Sequence, residues 1–221
     1  MSPTRIAELL APFLKPSPSD ASTQLSLGQL QNISTYTDLL IRWNASISLT
    51  AIRDPEQIVT RHFGESIFAA RHLFLDNQQI ASKARLADLG SGAGFPGVPI
   101  KLWAPQIEVT LIESNHKKAA FLREVVRSLG LTGIRVENVR AETLAPSSFG
   151  VVTLRAVERS TSVLPIAARL LMPKGRLVAF TTRNRADFIR STLPNFSWQS
   201  VPIPESQSRW LLISKVNQDC Q

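Results

Sequence analysis

Between residues 86 and 97 the chain reads L-A-D-L-G-S-G-A-G-F-P-G, with four glycines in the eight positions from Gly90 to Gly97. A stretch so bare of side chains lets the backbone come close to a ligand, and its glycines reach positive φ at little steric cost. Two chemistries fit the spacing, beside the plain alternative of a tight turn. Gly92, Gly94 and Gly97 satisfy G-x-G-x-x-G, the dinucleotide pattern that seats a pyrophosphate on a helix N-terminus. In that register Asp88, Gly90 and Ser91 fall in the strand that feeds the first glycine, where a buried parallel strand should run continuously apolar. In the other register the strand ends at Leu89, and the loop is D-x-G-x-G-x-G: Asp88, Gly90, Gly92 and Gly94. An acid at the strand tip repels a diphosphate and suits a ligand with a cationic amino-acid end.

These residues need elements to hold them. Residues 3–14, 26–44 and about 54–75 have helical patterning, and Asp54-Pro55 supplies an N-cap acid with proline at the first helical position. From Arg85 onward short strands alternate with helices. Strands are expected at 85–89, 107–113, 134–139, 151–156 and 176–181, and helices at 98–103, 116–129 and 162–171. Such alternation implies a parallel sheet with right-handed crossovers. Residues 197–203 and 209–215 then form an antiparallel hairpin around 204–208. The expected fold is α/β: a doubly wound, mostly parallel, Rossmann-like sheet closed by that hairpin. This is the arrangement of class I S-adenosylmethionine-dependent methyltransferases. Residues 1–80 would be a helical extension and 81–221 the methyltransferase domain.

D-x-G-x-G-x-G is also the first motif of that fold, so the ligand suggested is S-adenosylmethionine. Glu113 ends the next strand, where an acid can accept both ribose hydroxyls of an adenosine, and Ala141-Glu142 follows the third strand, where such enzymes place the adenine ring. Arg155 stands at the tip of a central strand beside the switch point; its bland alternative is an ion pair with Asp88 or Glu113. His62 could touch substrate, although a lone histidine among apolar neighbours more often packs, and Arg61, His62 and Glu65 also fit a helical ion-pair set.

Several reactions lack their residues. No N/D-P-P-Y/F motif follows the fourth strand, where exocyclic amine methylation would need it, and Cys220 lies too near the end to be a pyrimidine nucleophile. Transfer to an atom that is already nucleophilic remains, and guanine N7, with its in-plane lone pair and no proton to remove, is such an atom. The charge agrees with a polyanionic partner: 25 Lys plus Arg against 17 Asp plus Glu give +8, scattered along the chain. One cysteine excludes a disulfide framework or a Cys-based zinc site, and no metal is expected. With no apolar run long enough to span a bilayer and no signal pattern, the expectation is a cytoplasmic protein away from membranes, monomeric by default.

Three stretches resemble the bacterial RsmG (GidB) family, methyltransferases of guanine N7 in 16S ribosomal RNA of the small subunit. They are Trp43-Asn44 through Leu49-Thr50, Arg53-Asp54-Pro55 and Arg61-His62 to Ser66; the loop D-L-G-S-G-A-G-F-P-G-V-P-I; and Phe121-Leu122-Arg123 with Arg155-Ala156. The resemblance implies that Gly90 and Phe95 line the cofactor and Ala141-Glu142 meet the adenine end. It further implies that Arg155 stands between cofactor and substrate and that Arg123 faces RNA. The chain departs from the family pattern at Ser48, Glu65 and Leu154, and where a lysine is expected after strand five it has Thr181-Thr182-Arg183, so that Arg183 would take the lysine's place. A small-molecule or protein acceptor, an NAD(P)-binding protein and a catalytically silent RNA-binding module are the alternatives.

Overall fold

The computed structural model describes residues 1–15, 24–74, 84–155 and 162–216. Its centre is a seven-stranded sheet in the order β3-β2-β1-β4-β5-β7-β6. The strands are β1 (Arg85–Leu89), β2 (Glu108–Ile112), β3 (Ile134–Glu137), β4 (Phe149–Arg155), β5 (Leu171–Thr182), β6 (Phe196–Pro202) and β7 (Arg209–Val216). β1 pairs in parallel with both β2 and β4, so the strand order reverses there; β7 runs antiparallel to β5 and β6. The alternating pattern and the terminal hairpin expected from the sequence are both present.

Helices cover both faces. On one lie α1 (Pro3–Leu10), α2 (Leu27–Asn44), α3 (Pro55–Gln57), α4 (Glu65–Leu73), α5 (Gly97–Trp103) and α6 (His116–Ser128); on the other lie α7 (Val163–Leu170) and α8 (Arg183–Thr192). Local chemistry starts several of them. Ser26 and Gln29 form a reciprocal capping box on α2, the Asp54 carboxylate accepts the Gln57 N–H at 2.8 Å on α3, and Asn115 caps α6. Alternation along β5 divides the core: Val178 and Phe180 face one helical layer, Leu177 and Ala179 the other.

The N-terminal helices share the first of these two cores. Ile6, Leu10, Phe13, Ile33, Tyr36 and Leu40 are buried in one cluster with Phe95, Val98, Phe121 and Leu122. Tyr36 is fully enclosed, stacks on Phe95 with ring centroids 5.3 Å apart, and donates its hydroxyl proton to the Ala93 carbonyl in the glycine loop. The boundary expected near residue 80 lies outside the described residues.

Three local expectations are corrected. The helix expected at 54–75 is interrupted by a π-helical stretch, Ile58–Gly64, where Gly64 leaves room for the Phe13 ring: a Cβ there would come within 2.6 Å of it. β5 starts at Leu171 rather than residue 176, because Leu171 pairs with Phe149 ahead of a register shift. α8 adds a helix that the sequence pattern does not announce, since Ala186 and Ile189 are its only buried residues and its apolar signal is weak. Among the described residues no helix is long and apolar enough to cross a membrane.

Candidate active site

At the carboxyl ends of β1, β2 and β4 a cavity of about 500 Å³ opens where the strand order reverses. Leu89 lines it from β1 and Gly90 from the loop that follows, Ile112 from β2, and Leu154 and Arg155 from β4, with Ala141 and Glu142 from the turn after β3. Gly90 has φ +66°, and a Cβ added to it would meet nothing within 4 Å, so the backbone there opens onto free space. Of the residues expected to hold a ligand, the tertiary structure gathers Gly90, Ala141, Glu142 and Arg155 around this cavity.

The other candidates brace it. Asp88 is 1% exposed and turned inward: its carboxylate accepts the Gly97 N–H at 3.1 Å and the Thr153 hydroxyl at 3.0 Å. Burial pushes this carboxyl up to about 6, against the hydrogen bonds from Gly97 and Thr153. Asp88 thus joins β1 to β4 and to the start of α5, and both of its carboxylate oxygens are engaged within the protein. The Glu113 carboxylate accepts the Gly92 N–H at 2.9 Å and the Asn115 N–H at 2.7 Å, fixing the glycine loop against the entrance to α6. Gly94 has φ +85° and lies so close to Tyr36 that any Cβ would collide with the hydroxyl. Phe95 is not among the residues lining the cavity, and its ring stacks on both Tyr36 and His62.

Arg155 lines the cavity, and its ion pair is with Glu65 rather than with Asp88 or Glu113, the bland alternative for its position. Its Nη2 donates to Glu65 Oε2 at 2.9 Å and to the Arg61 carbonyl at 2.6 Å, and the guanidinium lies 5.3 Å from the Phe180 ring centroid. Its Nη1 is buried without a hydrogen-bond partner among the described residues. Glu65 Oε1 is also 2.6 Å from Arg209 Nε, an ion pair not aligned as a hydrogen bond. Burial raises the Glu65 carboxyl above the usual range while Arg155, Arg209 and Arg61 pull it down. His62 stacks on Phe95 at 4.6 Å and shares a 2.9 Å hydrogen bond with the Thr50 hydroxyl. Burial, with Arg155, Arg61 and Arg209 nearby, lowers it to about 3, so its ring is neutral. The environment of His62 is one of packing. Arg123 is exposed on α6, and Arg183 opens α8 beside a separate cleft lined by Arg190, Ser200 and Trp210.

A family model described as rRNA small subunit methyltransferase G (GidB) matches residues 29–201. The chain belongs to this family. Relatives named ribosomal RNA small subunit methyltransferase G are 45% identical over 145 residues in Xylella fastidiosa (strain 9a5c) and 40% identical over 172 residues in Xanthomonas campestris pv. campestris (strain B100). These matches span 65% of this chain and 65% of the Xylella protein, and 73% and 77% respectively for Xanthomonas. Among solved structures, a SAM-dependent methyltransferase from Aquifex aeolicus superposes with a TM-score of 0.56 at 15% identity, covering 74% of this chain and 94% of that one. A ribosomal protein L11 methylase from Lactobacillus delbrueckii subsp. bulgaricus gives 0.56 at 15% identity, covering 72% and 80%. At such identities the likeness is one of fold, and the fold is the class I methyltransferase fold.

In this member of the rRNA small subunit methyltransferase G family, sequence reasoning missed part of the cavity wall. Lys118 and Arg140 bring positive charge to it, and Val163 and Ile166 give it an apolar side. Lys118 carries a signal, being on the first turn of a capped helix beside Glu113; Val163 and Ile166 read only as helical periodicity. The partnership of Glu65 with Arg155 crosses 90 positions and leaves no local trace.

Proposed function

We propose that the chain binds S-adenosylmethionine in the cavity at the β1–β4 switch point and transfers its methyl group to N7 of a guanosine in 16S ribosomal RNA. The observation that carries this reading is the match to the family at residues 29–201 together with a cavity at the ends of β1, β2 and β4. The residues suit such a donor. Gly90 leaves open space where a side chain would intrude, Ala141 and Glu142 offer a shelf for an adenine, and Arg155 places a positive charge at the cavity wall that would attract the donor's carboxylate. When bound, S-adenosylmethionine supplies an electrophilic methyl on a sulfonium.

The protein's share of the work is then positioning. Guanine N7 has no proton to lose, so no side chain need act as a base. His62, lowered to about 3 by burial and packed on Phe95, would be a weak base in any case. Glu113 and Asp88 keep the glycine loop rigid, which maintains alignment between acceptor and donor. Arg123 and Arg183, exposed on α6 and α8, add to a net charge of +8 that favours RNA. In this reading the protein works in the cytoplasm as a monomer, without a metal.

The test is to map N7-methylguanosine in 16S ribosomal RNA from cells with and without the protein, and to restore it with purified protein and S-adenosylmethionine. Loss of one modified guanosine in the deletion strain, restored by the wild type, is expected. An unchanged modification pattern sinks the RNA assignment.

A further inference from the structure

We infer that Glu65 is a positioning residue, holding the Arg155 guanidinium at the wall of the donor cavity by bridging it to Arg209. This inference rests on the reading of that cavity as the S-adenosylmethionine site. The geometry joins three distant parts of the chain: Glu65 opens α4, Arg155 ends β4 and Arg209 begins β7. Only 2% of the Glu65 side chain is exposed, against 20% for Arg155 and 25% for Arg209, so a single carboxylate stands between two largely buried guanidiniums.

The division of the Arg155 atoms gives the bridge its meaning. Nη2 is committed to Glu65 and to the Arg61 carbonyl, and Phe180 lies against the guanidinium. Those contacts set the side-chain rotamer and with it the place of the positive charge that Arg155 contributes to the cavity wall. Without Glu65, Arg155 and Arg209 would be two like charges near each other with no anion between them, and repulsion would favour swinging Arg155 out toward solvent. Glu65 itself is not among the residues lining the cavity, so its effect on a ligand passes through Arg155. A buried ion pair that merely fastened α4 to the sheet would affect stability and leave donor affinity alone.

The experiment uses the full chain with S-adenosylmethionine as probe, binding measured by titration calorimetry, methyl transfer to 16S ribosomal RNA by initial rates, and folding by thermal melting. Glu65→Gln is expected to retain a cooperative melt but bind S-adenosylmethionine at least about tenfold more weakly, as loss of a group that aligns a contacting residue does. The loss should fall on KM for the donor rather than KM for RNA. Glu65→Asp, which restores the charge, should recover affinity to within about threefold of wild type. Glu124→Gln, which breaks the exposed pair with Arg127, should match wild type. If Glu65→Gln shows no folding transition, Glu65→Gln with Arg209→Gln removes one buried cation along with the anion and is judged by the same criterion. Wild-type affinity in the folded Gln variant overturns the positioning role while leaving the cavity's function standing. A wild-type protein that fails to bind S-adenosylmethionine overturns both.

Discussion

Two buried ionisable residues beside the glycine loop give the molecule opposing responses to pH. Asp88, held at about 6 against an ordinary 3.8, keeps its proton in the folded state over a range where the unfolded chain has lost it. Its raised value therefore contributes stability below about pH 4 that is lost as pH rises through 6. His62, held at about 3 against 6.5, does the reverse: the unfolded chain takes up a proton below pH 6.5, and stability falls as pH falls. The two slopes oppose each other across the mildly acidic range. Asp88→Asn separates them. An asparagine can accept the Gly97 N–H and donate to the Thr153 oxygen, so the fold should survive. The variant's stability relative to wild type should rise by about 3 kcal/mol between pH 4 and pH 7, the equivalent of a shift of about two pKa units. Urea titrations at both pH values check this, and a constant difference would show that Asp88 titrates normally.

The glycine loop is one element with two kinds of glycine. Gly90 borders the cavity and Gly94 borders Tyr36. Gly90→Ala should cost about 1 kcal/mol of backbone strain at φ +66°, leaving a folded protein whose new methyl group intrudes on the ligand. Gly94→Ala adds a collision with the Tyr36 hydroxyl and crowding from Leu122 and Val98 at 3.1 Å, and should cost about 3 kcal/mol or more. Chemical denaturation paired with S-adenosylmethionine titration distinguishes them: the first variant should fail in binding, the second in folding. Equal stability of the two would mean that the Tyr36 contact yields easily.

Across the whole molecule, the N-terminal helices form part of the core that supports the site. Tyr36 closes over the loop at Ala93, Phe13 packs against Gly64, and Arg71 donates to the Phe13 carbonyl at 2.9 Å. Burying a side chain such as Tyr36 or Phe13 contributes about 2 kcal/mol each, so removing α1 and α2 withdraws a large share of a marginal total. Deletion of residues 1–44 is therefore expected to abolish the cooperative melt and S-adenosylmethionine binding together with RNA binding. A truncated protein that melts cooperatively and still binds the donor would show that the sheet and its remaining helices suffice.

The amino-acid order alone determined the alternation of strands and helices, the glycine loop, the terminal hairpin and the identity of the family, because each is written in local spacing: period, caps, turns and an unbroken motif. It also singled out Gly90, Ala141, Glu142 and Arg155, since residues at strand ends beside a switch point converge in any sheet of this topology. What the local pattern could not carry was orientation and partnership. Asp88 turns inward because Thr153 stands opposite it in register on β4; Phe95 is buried where Tyr36 and His62 stack against it; Arg155 finds Glu65 across 90 positions. Those choices depend on burial and long-range charge, which exist only once the chain has closed on itself.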